Sequence, residues 1–260
     1  MSGPFFCRAV DREKQTRYDN IMVKSYIIHL ERSTERAPLV ARLKDALPNA
    51  SVVSAVYGRD VPPDDVKRLT SDQISGKPYP FKLLPGELGC FLSHRKVWNK
   101  FIQSGEDYAI VSEDDAVLGQ DFAKSLNLAT THISPNRLIR FPIKAREKPS
   151  RTIATAGDIE LFIPQVVGLT TTMYLVGRDA AQKLLNGSNI IDRPIDVWMQ
   201  MRWETGVDSL SVWPSHISAA PADQTGSTIQ GKSRGIREEV TKSLKRSRYR
   251  AWVARKSKTS

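Results

Sequence analysis

Three consecutive carboxylates, Glu113, Asp114 and Asp115, close the apolar run Tyr108-Ala109-Ile110-Val111-Ser112. Residues of that run favour a strand, and the turn after such a strand lies at the rim of an open α/β sheet, where these sheets hold ligands. Hard carboxylate oxygens there suit Mg²⁺ or Mn²⁺, which take one or two protein carboxylates when a substrate diphosphate supplies the remaining ligands. The bland alternative is a solvated acidic turn, so the surrounding elements decide.

Those elements alternate. A strand over 25–30 leads into a helix over 33–46 with Ser33 as N-cap and Pro38 near its start, and Pro48-Asn49 ends it. A short strand over 52–56, a helical turn opened by Pro62-Pro63-Asp64-Asp65 and a loop at Ser75-Gly76-Lys77-Pro78 follow. Pro85 opens a longer helix with an apolar stripe of Leu88, Phe91, Leu92, Val97, Trp98 and Phe101, which Ser104-Gly105 stops before the central strand. Beyond the triplet we expect a helix over 121–128 and strands over 136–143, 151–156 and 159–165, the last two joined at Gly157-Asp158 as a hairpin. This predicts an α/β sandwich with a parallel, Rossmann-like nucleotide half and a mixed second half. No internal repeat is present.

Six segments, in order, resemble glycosyltransferase family 25, the lipopolysaccharide-type sugar transferases. They are Tyr26-Ile27-Ile28-His29-Leu30-Glu31-Arg32-Ser33 with Glu35-Arg36; Ala55-Val56-Tyr57-Gly58-Arg59; Leu84-Pro85-Gly86-Glu87-Leu88-Gly89-Cys90-Phe91-Leu92-Ser93-His94; the acidic triplet; Thr172-Met173-Tyr174-Leu175-Val176; and Pro194-Ile195-Asp196. A last echo is Ser227-Thr228-Ile229. The resemblance covers residues 24–230 and departs from the family at His29, usually Asn, and Tyr57, often Asp. It implies an A-type glycosyltransferase fold, a UDP-sugar donor, a glycan or lipooligosaccharide acceptor, Mn²⁺ or Mg²⁺, and an inverting displacement.

The resemblance also implies roles. Asp115 is the expected direct metal ligand, with Glu113 and Asp114 reaching the metal through water or binding ribose; Asp114 could instead be structural. His216 is a candidate third ligand. Arg32 and Arg36, after the first strand, could hold uracil, ribose or phosphate, or pair with Glu31 and Glu35 on the surface. His94 lies inside the helix begun at Pro85, as a cleft residue or a hydrogen-bonded core histidine, and Glu87 between Gly86 and Gly89 could line the same cleft. Ser93-His94 is no hydrolase signature, because adjacent helical residues diverge and no Gly-x-Ser-x-Gly elbow exists. An acceptor hydroxyl needs a base, for which Asp196 leads and Glu204 and Asp223 follow. Trp198, Trp203 and Trp213 are core residues or a sugar platform, and Arg193 and Arg202 could meet an anionic acceptor.

Composition bounds the rest. A length of 260 residues with 40% hydrophobic content supports one catalytic domain. Cys7 and Cys90 are far apart without metal-ligand spacing, which argues against a zinc site or a disulfide framework and fits a reducing cytoplasm. Residues 1–23 read as an N-terminal extension without a signal peptide, and no segment reaches membrane-spanning length. Of the net charge of +11, residues 232–258 carry +9. In that tail, 231–260, Ile236, Val240 and Leu244 recur at four-residue spacing, so it reads as a basic amphipathic helix for an anionic membrane surface or as a solvated helix or frayed tail. No base-reading motif accompanies the charge, so specific nucleic-acid binding is not expected, and a nucleic-acid phosphodiesterase would want a second carboxylate cluster.

Overall fold

The first described apolar segment forms strand β1 (Val23–His29) at the centre of the parallel part of the sheet. In this computed structural model, which describes residues 23–71, 77–221 and 236–258, β1 lies between β2 (Ala50–Ser54) and β3 (Tyr108–Glu113), parallel to both. The sheet continues through β8 (Met173–Gly177), β5 (Arg137–Arg140), β9 (Asp208–Trp213) and β7 (Ile159–Pro164) to β6 (Pro149–Ala156), eight strands in all. Strand β8 is antiparallel to both neighbours, β5 and β9 are parallel, and β7 is antiparallel to β9 and β6. The expected α/β class, with a parallel start and a mixed second half, is what forms.

Alternation along the strands feeds two cores, because successive side chains point to opposite faces. Ala109 and Val111 of β3 with Tyr174 and Val176 of β8 face helices α3 (Pro85–Ser104), α5 (Arg178–Asn186) and α6 (Ile195–Gln200), through Phe91, Trp98, Phe101, Ala181, Leu184 and Ile195. Ile110, Met173 and Leu175 face the opposite way onto α1 (Ala37–Ala46) and α4 (Phe122–Thr131), through Val40, Leu43, Phe122 and Leu126. The product is an α/β/α sandwich with the carboxyl ends of β1 and β3 side by side.

Several boundaries shift for local reasons. The helix expected over 33–46 is a 3-10 turn, Thr34–Arg36, followed by α1; Pro38 sits in its first turn, where an N–H is dispensable, and Ser33 makes no side-chain cap. The strand expected over 136–143 ends at Arg140, two residues before Pro142, which cannot donate to a ladder. Helix α2 (Pro63–Leu69) starts one residue inside the Pro-Pro pair. Gly105, at φ 82°, ends α3 in the left-handed conformation that glycine adopts without cost. The hairpin turn at Gly157-Asp158 joins β6 and β7 as expected. A ribbon of β4 (Ala116–Leu118) and β10 (Ile217–Ala219) had no sequence signal.

Gly89 departs from its expected use. A β-carbon there would stand 2.6 Å from Val56 O and Gly58 N, so the close approach serves the 56–58 loop packing on α3 rather than a ligand. The loop at Ser75 and Gly76, the echo at 227–229, Asp223 and the 1–22 extension lie outside the described residues. Helix α8 (Ile236–Ser257) carries much of the basic tail. It packs on the sandwich through Tyr249 and Val253, which meet Val197 of α6, Tyr79, Val166 and Trp203. Arg202 of α7 (Arg202–Thr205) donates to Ser257 O near its end. Leu244 stays exposed, as do Lys245, Arg246, Arg248 and Arg250.

Candidate functional site

Parallel pairing of β1 with β3 sets Ile28 opposite Glu113, so His29 and Asp114 leave adjacent strand ends together. His29 Nδ1 lies 2.8 Å from Asp114 Oδ2, and Arg36 donates to Asp114 Oδ1 at 2.6 Å. Both Asp114 oxygens are thereby engaged in a buried position. The structure thus joins Arg36 and Asp114, each a candidate nucleotide contact, to one another. Their pairing fastens the turn that presents the triplet, and the departure at His29 supplies the third member.

Glu113 is fixed from the other side. Thr171 donates to its Oε1 at 2.5 Å, and His94 Nε2 approaches the same oxygen at 3.4 Å. His94 Nδ1 meets the Tyr174 hydroxyl at 2.9 Å, and that hydroxyl accepts from Trp98 Nε1 at 2.9 Å. Indole N–H only donates, so Tyr174 accepts it and gives its own proton to Nδ1, leaving the His94 proton on Nε2, aimed at Glu113. Burial raises the Glu113 pKa, but His94, Thr171 and Arg36 more than offset it and hold the carboxyl below its ordinary value. His94 is therefore both buried and part of the site, through an acid it holds ionised.

Asp115 has the opposite environment. Its Oδ1 is buried and has no hydrogen-bond partner among the described residues. Burial, with Glu113 and Asp114 adding against Arg36, pushes its pKa up to about 6. Asp196, in the first turn of α6, has its pKa raised by burial, opposed by the Val197 amide at 2.8 Å and by Arg140, with Glu113 adding. Glu87 accepts from Leu84 N at 2.7 Å at the head of α3, and burial and Asp196 raise its pKa. Carboxylates from three elements, Glu113 and Asp115 after β3, Asp196 on α6 and Glu87 on α3, thus act on one another and gather negative charge at this end of the sheet.

At the flank, Arg32 stacks over the Tyr57 ring at 3.9 Å and donates to Asp60 at 2.5 Å. Tyr57 and Asp60 also line an open cavity of about 310 Å³ with Val56, Val61, Pro62, Asp65, Leu69 and Leu92. The second departure from the family pattern therefore also has a partner, at the rim of this hollow.

Other candidates lie elsewhere. His216 Nδ1 is 2.9 Å from Ser125 Oγ, and its carbonyl accepts from Gly119 N on the far side of the β4–β10 ribbon, so it stands with α4 rather than with the triplet. Glu204 is exposed on α7. Trp198 is core, Trp203 packs edge-on against Trp252 of α8, and Trp213 precedes a cis bond to Pro214. Arg193 is buried against Asp192 and Tyr249. Sequence reasoning missed Tyr79, Cys90, Arg140 and Thr171, all near the carboxylates. Cys90 stood inside a quoted motif and Thr171 beside one; Tyr79 and Arg140 had no signal of their own.

A family model described as glycosyltransferase family 25 (LPS biosynthesis protein) matches residues 22–199. The chain belongs to glycosyltransferase family 25. Among its relatives, human procollagen galactosyltransferase 2 is 24% identical over 264 residues, covering 89% of this chain and 40% of that protein. The rat protein named probable inactive glycosyltransferase 25 family member 3 is 25% identical over 233 residues, covering 85% and 40%. A glycosyltransferase 25 family member of Aedes aegypti is 33% identical over 94 residues, covering 35% and 16%. This family 25 chain thus spans about 40% of the length of the first two relatives. Among the described residues no helix is long and apolar enough to cross a membrane.

Proposed function

We propose that this chain transfers a hexose, galactose from UDP-galactose, to a hydroxyl of a lipooligosaccharide or related glycan with inversion, using Mn²⁺ or Mg²⁺. The observation that carries the reading is Asp115: a buried, unpartnered carboxylate oxygen among acids that raise one another's pKa fits a divalent cation. Asp115 would hold the metal directly, and Glu113, kept ionised by His94 and Thr171, would reach it directly or through water. Bound there, the cation would neutralise charge growing on the departing diphosphate. Asp196 takes the acceptor proton, and its raised pKa makes it a stronger base than an exposed aspartate. Arg32 and Tyr57 hold the nucleoside end at the cavity rim. The exposed basic residues of α8 suit a cytoplasmic enzyme resting peripherally on an anionic inner membrane face.

The name of the rat relative favours weighing a second reading, a non-catalytic glycan- or lipid-binding protein on the same fold. Nucleotide release from UDP-, GDP- and CMP-sugars, with and without Mn²⁺, decides between them. Metal-dependent release from one donor supports the transferase, whereas glycan binding with no release from any donor supports the second reading.

A further inference from the structure

One group of donor atoms is not needed as a set by the proposed reaction. Cys90 and His94 stand one turn apart on α3, and their Sγ and imidazole nitrogen lie, with a Glu113 oxygen, all within 4.8 Å of one another. We infer that Cys90, His94 and Glu113 form a site for a thiophilic divalent cation, zinc above all, set behind the Asp115 position.

Three features carry it. First, the ligand set is mixed and three-membered, as in open zinc sites that leave a fourth position free. Bond lengths of about 2.3 Å to sulfur and about 2.0 Å to nitrogen and oxygen require ligand atoms about 3.3–3.5 Å apart, so closure asks for approach of about 1.5 Å at most. Second, the ligands are already oriented. The other His94 nitrogen is held at 2.9 Å by Tyr174, itself fixed by Trp98, and Thr171 holds Glu113. Outer partners of this kind are what zinc-bound histidines and carboxylates use. Third, the Cys90 residue is only partly covered, and burial, with Glu113, Asp196 and Asp115 adding, pushes its thiol pKa up, so it stands among negative charge that a bound cation would offset.

Binding moves the histidine proton from Nε2 to Nδ1, where the Tyr174 oxygen accepts it beside the Trp98 N–H, and releases the thiol proton to solvent. A cation here takes the Glu113 oxygen that the metal-free network points at His94. The site would therefore compete with the arrangement that presents Glu113 to the cleft, making zinc an antagonist of the Mg²⁺ or Mn²⁺ form.

Cobalt titration of the full chain, reduced and free of chelators, tests this without recourse to activity. Cobalt should produce a thiolate charge-transfer absorption in the near ultraviolet saturating at one equivalent, and zinc should bleach it. Cys90→Ser should abolish the band, while Cys7→Ser and Asp115→Asn should keep it. Zinc protection of wild-type Cys90 from iodoacetamide, read by mass spectrometry, provides a second measurement that does not depend on the folding of Cys90→Ser. A folded wild type with no thiolate–cobalt band, a band that survives in Cys90→Ser, or a Cys90 alkylated equally fast with and without zinc would overturn the inference. Retention of the band in Asp115→Asn keeps this test separate from the Mg²⁺ or Mn²⁺ reading.

Discussion

Replacing Asp115 by Asn should change how the metal-free protein responds to pH. The folded carboxyl has its pKa pushed from 3.8 to about 6 by burial and by Glu113 and Asp114. Between those values the unfolded chain has released the proton and the folded one has kept it, so the native state binds more protons and stability falls as pH rises. Above pH 6 the whole penalty is present. A difference of about two pKa units at about 1.4 kcal/mol each gives a cost on the order of 3 kcal/mol, or roughly 6–12 °C in Tm for a domain of this size. Asn cannot ionise, so its metal-free melting curve should lack this part of the decline between pH 4 and pH 7. The slope is the readout, because an amide at the unpartnered Oδ1 position carries its own constant cost. Added Mn²⁺ should restore wild-type stability at pH 7 and leave the variant unmoved. The assay is a thermal melt in EDTA from pH 4 to pH 8, repeated with Mn²⁺. Parallel pH profiles for the two proteins, or equal stabilisation of both by Mn²⁺, would refute the view that burial and its acidic neighbours raise the Asp115 carboxyl and that it binds the cation.

Asp196→Asn should lower turnover by roughly 10²–10⁴ while UDP binding, followed by calorimetry, survives; normal turnover would return attention to Glu204 or Asp223. Arg36→Met should cost about 3–5 kcal/mol in urea unfolding, because it leaves Asp114 buried with His29 alone; a change under 1 kcal/mol would mean that the pair does not fasten the turn. A chain ending at Gln230 should sediment less with anionic liposomes at low salt, and it should also lose Tm and activity on a soluble acceptor. Tyr249 and Val253 are buried against the body of the protein, and Tyr249 receives an Arg193 N–H at 2.9 Å, three residues from Asp196. Full activity of the truncated chain would show that this packing is dispensable.

The parallel first half was readable because its signals are local. Alternation in 25–30 and 108–112, the stripe after Pro85 and the glycine at 105 each act within a few residues, and the elements formed within a few positions of expectation. The same holds for the triplet at the end of β3. What could not be read is which carboxylate does what, since that depends on partners far along the chain. Asp114 is tied down by residues 85 and 78 positions away, Glu113 by one 58 positions away, and Asp115 is marked by having no such partner. Chemically alike neighbours acquire opposite environments only once β1, β3 and β8 are side by side.

The basic tail shows the same limit in another form. Its charge is a property of the sequence, and Ile236, Val240 and Leu244 at four-residue spacing suggest a helix, but spacing cannot say what an apolar face meets. Tyr249, Trp252 and Val253, which membrane insertion would need, lie against Tyr79, Trp203 and Val197. Burying them in bilayer would first mean exposing that cluster, so insertion of this face is opposed by the packing it would undo. Exposed Lys245, Arg246, Arg248 and Arg250 remain available for attraction to an anionic surface without insertion. That attraction is screened over about 8–10 Å at physiological salt. Salt sensitivity therefore separates the two modes: adsorption through these residues should disappear between low and physiological ionic strength, whereas liposome binding that persists at high salt would require the aromatic face to have left the protein.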